Sequence, residues 1–224
     1  MLLTRYGFRE WGLMTLVAGA AIGISVAFDQ WIVASVFLVL WLAGVSFFRD
    51  PLGRRPATAA PNDMVSPADG KVSAILDMDH HASVGGPAKV VRIFLSVLDV
   101  HVNRFPCDGT VATIVHAEGK YLDARTEESA RVNESNVVTL ATASGERIGV
   151  RQVSGAIARR IVCAAKVGGH ARRGARFGMI KFGSTTELIL PRPKDVEVHV
   201  KVGDRVKGGV TILATLRAPG AAAG

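Results

Sequence analysis

The carboxyl-terminal part of the chain contains the stretch MIKFGSTTELIL at residues 179–190, in which two apolar runs flank a Gly-Ser-Thr turn. Short apolar runs rich in β-branched residues recur along the chain, and turns that contain Gly or Pro separate many of them. They occupy residues 65, 72–76, 90–95, 111–115, 137–140, 148–153, 157–163, 188–190, 196–202 and 210–216. This spacing is typical of all-β domains, so we predict a mainly β domain of many short strands.

Two segments of this domain echo each other, ADGKV at residues 68–72 and VGDRVKGG at residues 202–209. Together they look like the two halves of a barrel-sandwich, the fold of lipoyl and biotinyl carriers. Those carriers have a lysine at the tip of a hairpin between the halves, and no such hairpin is evident here. Structural glycines at strand ends explain the echo equally well. We therefore predict a barrel-sandwich-like fold and draw no carrier function from it.

The amino-terminal segment differs in composition from the rest of the chain. Residues 11–28 and 31–48 carry no charge, and only Asp29-Gln30 interrupts them. As a helix each half is about 27 Å long, close to the thickness of a bilayer core. Arginines lie before the first half and after the second, which predicts that both ends are cytoplasmic. We expect a membrane-anchoring helical hairpin over 1–50, a linker over 51–62 and a catalytic domain over 63–224.

A buried helical hairpin of a soluble protein is the alternative, but these halves are apolar all round and not striped. The formal net charge of +8 is compatible with nucleic acid, anionic lipid or an acidic substrate. The Lys and Arg residues are scattered and lack interleaved aromatics, which argues against nucleic acid. Cys107 and Cys163 are far apart, so they indicate neither a disulfide framework nor a zinc motif.

Three motifs follow one another in the β domain: SPADG at residues 66–70, LDVHVNRFP at 98–106 and FGST at 182–185. In a tight turn the Ser184 hydroxyl can attack the Gly183 carbonyl, and elimination and hydrolysis then leave a pyruvoyl group at residue 184. The hydroxyl needs a base, and imidazole titrates nearest neutral pH. A carboxylate orients such a base. The three motifs supply Asp69, His101 and Ser184 for these roles.

With these motifs the chain resembles the phosphatidylserine decarboxylase family, in the short form found in bacteria and archaea. The resemblance covers the membrane anchor, the SPADG segment, the segment from Asp99 to Arg104, residues 133–136 and the Gly-Ser-Thr site. The family's site usually reads Leu-Gly-Ser-Thr, and Phe182 takes the place of the Leu. Each motif alone is weak, whereas the combination is specific.

The resemblance implies self-cleavage between Gly183 and Ser184 into a β subunit, residues 1–183, and an α subunit, residues 184–224, which remain together as a heterodimer. The pyruvoyl group derived from Ser184 would form a Schiff base with the amine of phosphatidylserine. Loss of CO2 would then yield phosphatidylethanolamine without a metal or diffusible cofactor. The implied location is the cytoplasmic side of the cell membrane. Assembly of the heterodimer into a higher homo-oligomer is compatible with the resemblance.

The histidine segment departs from the pattern of longer family members, which reads His-x-x-His. His101 matches the first position and Arg104 occupies the second. We expect His101 with Asp69 to serve catalysis. Arg104 as an oxyanion donor and Thr185 are the supporting candidates, and His116 and His199 are alternatives for the base.

Basic residues near the membrane would concentrate an anionic lipid substrate. The candidates are Arg49, Arg54, Arg55 and the turn of residues 172–176. Three other readings compete with the lipid decarboxylase. They are a membrane-anchored adaptor that stays uncut, a zinc peptidase, and a pyruvoyl enzyme that acts on a soluble amino acid. A zinc peptidase would need paired histidines such as His-x-His at two sites, and His80-His81 and His101 do not supply them.

Overall fold

The computed structural model describes residues 2–156, 160–181 and 184–219, and its contacts divide the chain into two compact units, residues 1–53 and 54–224. The first unit consists of two helices and a short strand pair. The elements are β1 (Leu2–Leu3), α1 (Phe8–Ala27), α2 (Trp31–Ser46) and β2 (Arg49–Asp50). The two helices therefore coincide with the two uncharged halves of the sequence.

The helices α1 and α2 pack side by side as a hairpin. Trp41 Nε1 donates to Thr15 Oγ1 at 3.0 Å, and a Cβ at Gly44 would lie 2.1 Å from Met14 Cε. Strand β1 pairs with β2, with Leu2 opposite Asp50. This pairing brings the two ends of the hairpin to the same side.

The surface of the hairpin is strongly apolar. Leu16 is 74% exposed and Ile32 is 83% exposed. The helical segment Arg5–Ala27 contains an 18-residue window with a mean hydropathy of 1.5 and is long enough to cross a membrane, whereas Trp31–Ser46 is a shorter apolar helix. Large apolar surfaces of this kind are typical of contact with lipid or with another protein.

The second unit is mainly β, with one short helix, α3 (Glu127–Val132), in the polar stretch between strands. The strands are β3 (Asp63–Val65), β4 (Gly70–His81), β5 (Gly86–Leu95), β6 (Val102–Arg104), β7 (Gly109–Ala117), β8 (Ser135–Ala141), β9 (Arg147–Val153), β10 (Ile161–Cys163), β11 (His170–Ala171), β12 (Arg176–Ile180), β13 (Ser184–Pro191), β14 (Val196–Val198), β15 (Arg205–Val206) and β16 (Ile212–Leu216).

These strands form three sheets that share one core. The largest has the order β11-β7-β8-β9-β13-β5-β4-β15, and the two three-stranded sheets have the orders β10-β12-β6 and β14-β16-β3. The core takes Leu188 from the large sheet, Phe177 from the second and Leu213 from the third, all almost fully buried. Each such side chain contributes about 1.5–3 kcal/mol through burial. The predicted mainly β, sandwich-like fold behind an apolar helical region is confirmed.

The two echoing segments lie side by side. Arg205 pairs with Lys71 and Val206 with Gly70, so β15 forms the edge of the large sheet next to β4. A Cβ at Gly70, whose φ is +152°, would lie 2.2 Å from the carbonyl oxygen of Phe94. The glycine of the ADG segment therefore permits a close approach of β4 to β5.

Strand β13 lies between β5 and β9 and is buried along its whole length. On its outer side Glu187 accepts from Arg92 Nε at 2.7 Å and from Arg151 Nη1 at 3.3 Å. The Glu187 side chain is only 4% exposed. Three neighbouring strands are thus joined by a buried Arg-Glu-Arg group.

Replacing Glu187 with leucine is expected to lower the free energy of unfolding by about 3–5 kcal/mol, because two arginines lose their buried partner. Asp77→Asn is the control, since its ion pair with Lys89 involves an aspartate side chain that is 63% exposed. An exposed pair contributes less than about 1 kcal/mol. Thermal and urea unfolding of the full chain in detergent measures both, and equal losses for the two variants would contradict the assignment.

Candidate active site

The candidate residues gather at one end of the large sheet. Ser184, the first residue of β13, pairs with Leu95, the last residue of β5. Thr185 pairs with Phe94 on one side and with Val153 at the end of β9 on the other. The other two residues of the predicted turn, Phe182 and Gly183, lie outside the described residues.

The Ser184 side chain is enclosed by the fold. The residue is 0% exposed, and its Oγ has no hydrogen-bond partner among the residues that the structure describes. Thr185 Oγ1 is also buried and unpartnered in that part of the chain. Buried hydroxyls normally find a partner, because an unpaired one costs about 1–3 kcal/mol. An orphan hydroxyl at this position is therefore a candidate reacting group.

The predicted cleavage site also lies where the chain changes sheets. Strand β12 ends at Ile180 in a three-stranded sheet, and β13 begins at Ser184 in the large sheet. The bond before Ser184 is thus next to a crossover and not in the middle of a paired strand.

His101 directly precedes β6 and is fully buried. Its Nδ1 lies 2.9 Å from the carbonyl oxygen of Asp99, and its own carbonyl accepts from the N–H of Ile180 at 3.2 Å. A carbonyl can only accept, so Nδ1 carries the proton and Nε2 is the nitrogen that can take up a proton. The contact with Ile180 ties His101 to the strand that leads into the predicted cleavage site.

Asp69 is held at the start of β4. Its carboxylate pairs with Arg54, with Arg54 Nη2 at 2.8 Å from Oδ2, and it accepts from the N–H of Gly208 at 2.9 Å. A Cβ at Gly208 would lie 3.2 Å from both Ala68 and Asp69. The partner that orients the His101 ring through Nδ1 is the Asp99 carbonyl, whereas Asp69 binds Arg54 and Gly208.

Arg104 lies against the SPADG segment. Its backbone N–H donates to the carbonyl of Pro67 at 2.9 Å, and its Nη1 donates to the carbonyl of Gly174 at 3.0 Å. The residue is 5% exposed. A Cβ at Gly209 would lie 2.9 Å from Arg104 Cδ, so a glycine there gives the side chain its room.

The two alternative histidines have different surroundings. His116 lies at the end of β7 with its Nε2 3.6 Å from Glu134 Oε1, and its side chain is half exposed. His199 follows β14, and its Nε2 lies 2.7 Å from Thr215 Oγ1. His116 pairs with Asn136 on β8, so it lies in the large sheet, whereas His199 borders a three-stranded sheet.

Comparison with known proteins assigns the chain to a family. The sequence profile of the family described as phosphatidylserine decarboxylase matches residues 42–214. A phosphatidylserine decarboxylase proenzyme from Oleidesulfovibrio alaskensis is 42% identical over 212 residues, which cover 95% of this chain and 93% of the relative. The chain belongs to the phosphatidylserine decarboxylase family.

Other relatives agree with this assignment. The phosphatidylserine decarboxylase proenzyme of Symbiobacterium thermophilum is 42% identical and covers 88% of this chain and 89% of its own length. That of Carboxydothermus hydrogenoformans is 39% identical and covers 97% and 98%. Membership in this decarboxylase family confirms the prediction of an enzyme and favours it over the adaptor and the zinc peptidase.

Four further polar residues near Ser184 were not predicted as part of the site. Asn136 Nδ2 donates to Gln152 Oε1 at 3.0 Å, and Gln152 Nε2 donates to Asn103 Oδ1 at 2.9 Å. Asn103 Nδ2 in turn donates to Thr186 Oγ1 at 3.0 Å. Gln152 follows Ile148 and Val150 at every second position of β9, where an apolar core residue is expected, and this polar residue was the signal in the sequence.

Within residues 2–156, 160–181 and 184–219, no group of three or more His, Cys, Asp or Glu side chains is placed to hold a metal ion. Burial raises the pKa of the Cys107 thiol to about 12. Burial also raises the pKa of the Cys163 thiol. Neither thiol is therefore activated as a nucleophile at neutral pH.

One sequence expectation changes. Arg54 was predicted as a cation for the membrane surface, but its side chain is 10% exposed and pairs with Asp69. Single and double alanine variants of Arg54 and Asp69 are expected to show a coupling energy of about 0.5–3 kcal/mol in the free energy of unfolding. Urea unfolding of the full chain measures it, with Arg55→Ala as the neighbouring control. Additive losses would show that the pair contributes nothing.

Proposed function

We propose that the chain is a proenzyme that cuts itself between Gly183 and Ser184 and then decarboxylates phosphatidylserine to phosphatidylethanolamine and CO2. The observation that carries the proposal is the buried Ser184 hydroxyl at the start of the central strand, which has no hydrogen-bond partner within the described residues, in a chain of the phosphatidylserine decarboxylase family. The zinc and adaptor readings give this hydroxyl no task.

The proposed self-cleavage uses only groups of this chain and one water. Ser184 Oγ attacks the Gly183 carbonyl carbon, the C–N bond breaks, and the hydroxyl proton passes to the released amine, which leaves an ester. Removal of the Ser184 Cα proton then breaks the Cβ–O bond and releases the Gly183 carboxylate. The resulting dehydroalanine becomes an imine, which water hydrolyses to a pyruvoyl group and ammonia.

His101 is the proposed base for these proton transfers. The Asp99 carbonyl holds Nδ1, which directs the basic Nε2 to the remaining side of the ring. Asp69 is proposed to support the site by fixing the SPADG turn through Gly208 and Arg54. Arg104, anchored to Pro67 and Gly174, is the proposed positive charge near the developing oxyanion.

The residues around position 184 fit a pyruvoyl group. Its carbonyl oxygens would occupy a place that already holds a buried oxygen with no partner in the part of the chain that the structure describes. The group supplies an electron sink for loss of CO2 from the amino acid head group. The Thr185 hydroxyl, also buried and unpartnered among the described residues, is a proposed donor to it. Enclosure keeps bulk water from the reacting atoms.

The two proposed subunits would remain together after the cut. Strand β13, which begins the α subunit, is hydrogen-bonded on both edges to β5 and β9 of the β subunit. Strands β15 and β16 of the α subunit pair with β4 and β3. Separation would therefore expose the core and leave one edge of each of β3, β4, β5 and β9 unpaired.

The proposed place of action is the cytoplasmic side of the cell membrane, where the hairpin of α1 and α2 anchors the enzyme. The exposed apolar surface of both helices and the pairing of β1 with β2 support a hairpin whose ends lie on one side. Arginines at those ends favour the cytoplasm. The lipid substrate would then lie in the bilayer to which the enzyme is tethered.

Intact-mass measurement of the purified full chain in detergent tests the proposal. We expect fragments 1–183 and 184–224, with the smaller one blocked to amino-terminal sequencing and lighter by one ammonia than a serine-terminated peptide. Borohydride with phosphatidylserine should attach the lipid to the small fragment. A folded sample that stays a single chain and still decarboxylates phosphatidylserine would overturn the proposal.

A further inference from the structure

A directed chain of hydrogen bonds connects four buried side chains close to Ser184. Asn136, Gln152 and Asn103 each donate an amide N–H to the next member, and Thr186 Oγ1 accepts the last bond. All four residues are at most 3% exposed. Burial of an amide lowers stability unless the amide is hydrogen-bonded. The hydrogen-bond chain therefore favours a single arrangement of the strands that carry these four residues.

The hydrogen-bond chain joins two different sheets. Asn136, Gln152 and Thr186 lie opposite one another on β8, β9 and β13 of the large sheet. Asn103 lies on β6 of a three-stranded sheet, where it pairs with Gly178. A Cβ at Gly178 would lie 3.0 Å from Gln152 Nε2 and 2.2 Å from the carbonyl of Val162. Gly178 therefore leaves room for the amide that crosses between the sheets.

Asn103 contacts the chain both before and after the predicted cleavage site. Its strand pairs with β12, which ends at Ile180 before the crossover, and its amide binds Thr186, two residues after Ser184. His101 lies two residues before Asn103 on the same strand segment. The hydrogen bond between Asn103 and Thr186 thus connects the segment of the proposed base, His101, with the strand of the proposed nucleophile, Ser184.

We propose that Asn103, Gln152, Asn136 and Thr186 are positioning residues for self-cleavage, which hold the end of β12 at Ile180 and His101 in register with Ser184. The inference rests on the proposed function, because it assumes that the bond before Ser184 is cut. Displacement of reacting groups by about 1 Å can slow a reaction roughly 10²-fold. The hydrogen-bond chain is therefore expected to affect the rate of cleavage in addition to the stability of the fold.

Three threonine variants test the inference. Thr186→Val removes the hydroxyl with little change of shape, and Thr186→Ser keeps the hydroxyl. Thr139→Val makes the same change at a buried threonine of β8 that does not belong to the hydrogen-bond chain. The full chain is synthesised with a pulse of label in the presence of lipid nanodiscs. The appearance of the two fragments is followed by gel, and protease resistance reports folding.

We expect Thr186→Val to cut at least about tenfold more slowly than the native chain, Thr186→Ser within about threefold, and Thr139→Val within about twofold. Rescue by serine shows that the hydroxyl matters, and the Thr139 variant corrects for a general loss of stability. Equal rates for Thr186→Val and the native chain would overturn the inference. So would equal slowing by Thr139→Val.

Gln152→Met provides a second variant, which keeps the length of the side chain and removes the amide. It should also cut at least about tenfold more slowly while remaining protease-resistant. Ser184→Ala separates this inference from the function on which it rests. If the native chain cuts, Ser184→Ala does not and Gln152→Met cuts normally, the positioning role is wrong and the proposed function stands. If the native chain never cuts, the proposed function fails.

Discussion

Replacement of Ser184 by alanine is expected to leave the chain uncut and to reduce phosphatidylserine decarboxylation to background. The variant lacks the oxygen that is proposed to attack the Gly183 carbonyl and the Cβ–O bond whose loss is proposed to create the ketone. Its stability should remain close to that of the native chain. The Ser184 hydroxyl has no hydrogen-bond partner in the described residues, so its removal breaks no such bond there.

Ser154→Ala is the matched control for this variant. Ser154 is also 0% exposed and its Oγ is also unpartnered in the described part of the chain. It is hydrogen-bonded through its backbone to Glu134 at the end of the same sheet. Intact mass and a phosphatidylethanolamine assay on both variants distinguish the two serines. A cut, active Ser184→Ala protein, or an uncut Ser154→Ala protein, would show that Ser184 has been assigned the wrong role.

Replacement of His101 by glutamine is expected to slow self-cleavage by about 10²–10⁴-fold, the contribution of a positioned general base. Glutamine keeps a polar side chain of similar length at this buried position but has no nitrogen that titrates near neutral pH. It therefore lacks the nitrogen that is proposed to take up the proton. A time course of fragment formation by the full chain in nanodiscs measures the effect.

His116→Gln and His199→Gln are the controls, because both histidines are partly exposed and were the alternatives for the base. Both variants should cut within about threefold of the native rate, since neither removes the proposed base. If His116→Gln cuts slowly and His101→Gln cuts normally, the base is His116 and the role proposed for His101 is wrong.

Much of the candidate site could be predicted from local sequence because its residues lie in short motifs. Ser184 follows the glycine of an apolar-flanked turn, and the structure places it at the first residue of a buried strand. The segment from Asp99 to Arg104 was recognised as a motif, but β6 within it was not predicted as a strand. It has only three residues and does not alternate, since Val102, Asn103 and Arg104 are all buried.

The hydrogen-bond partners could not be predicted in the same way. Asp69 was expected to orient His101, yet its carboxylate binds Arg54 and the N–H of Gly208. Gly208 is far from Asp69 in the sequence and approaches it because β15 pairs with β4. Arg54 was expected at the membrane surface because a linker arginine usually remains exposed. Only the folded domain shows that the partly buried carboxylate of Asp69 binds it.

The sequence by itself determined the two apolar helices, the mainly β domain, and Ser184 and His101 as candidate site residues. These features depend on local composition, on the length of apolar runs and on short motifs. The tertiary structure decided that the predicted cleavage site adjoins a crossover between two sheets and that Asn103 and Gln152 link those sheets. Such relations depend on the register of strands that are distant in the chain, and register is set by packing of the whole core.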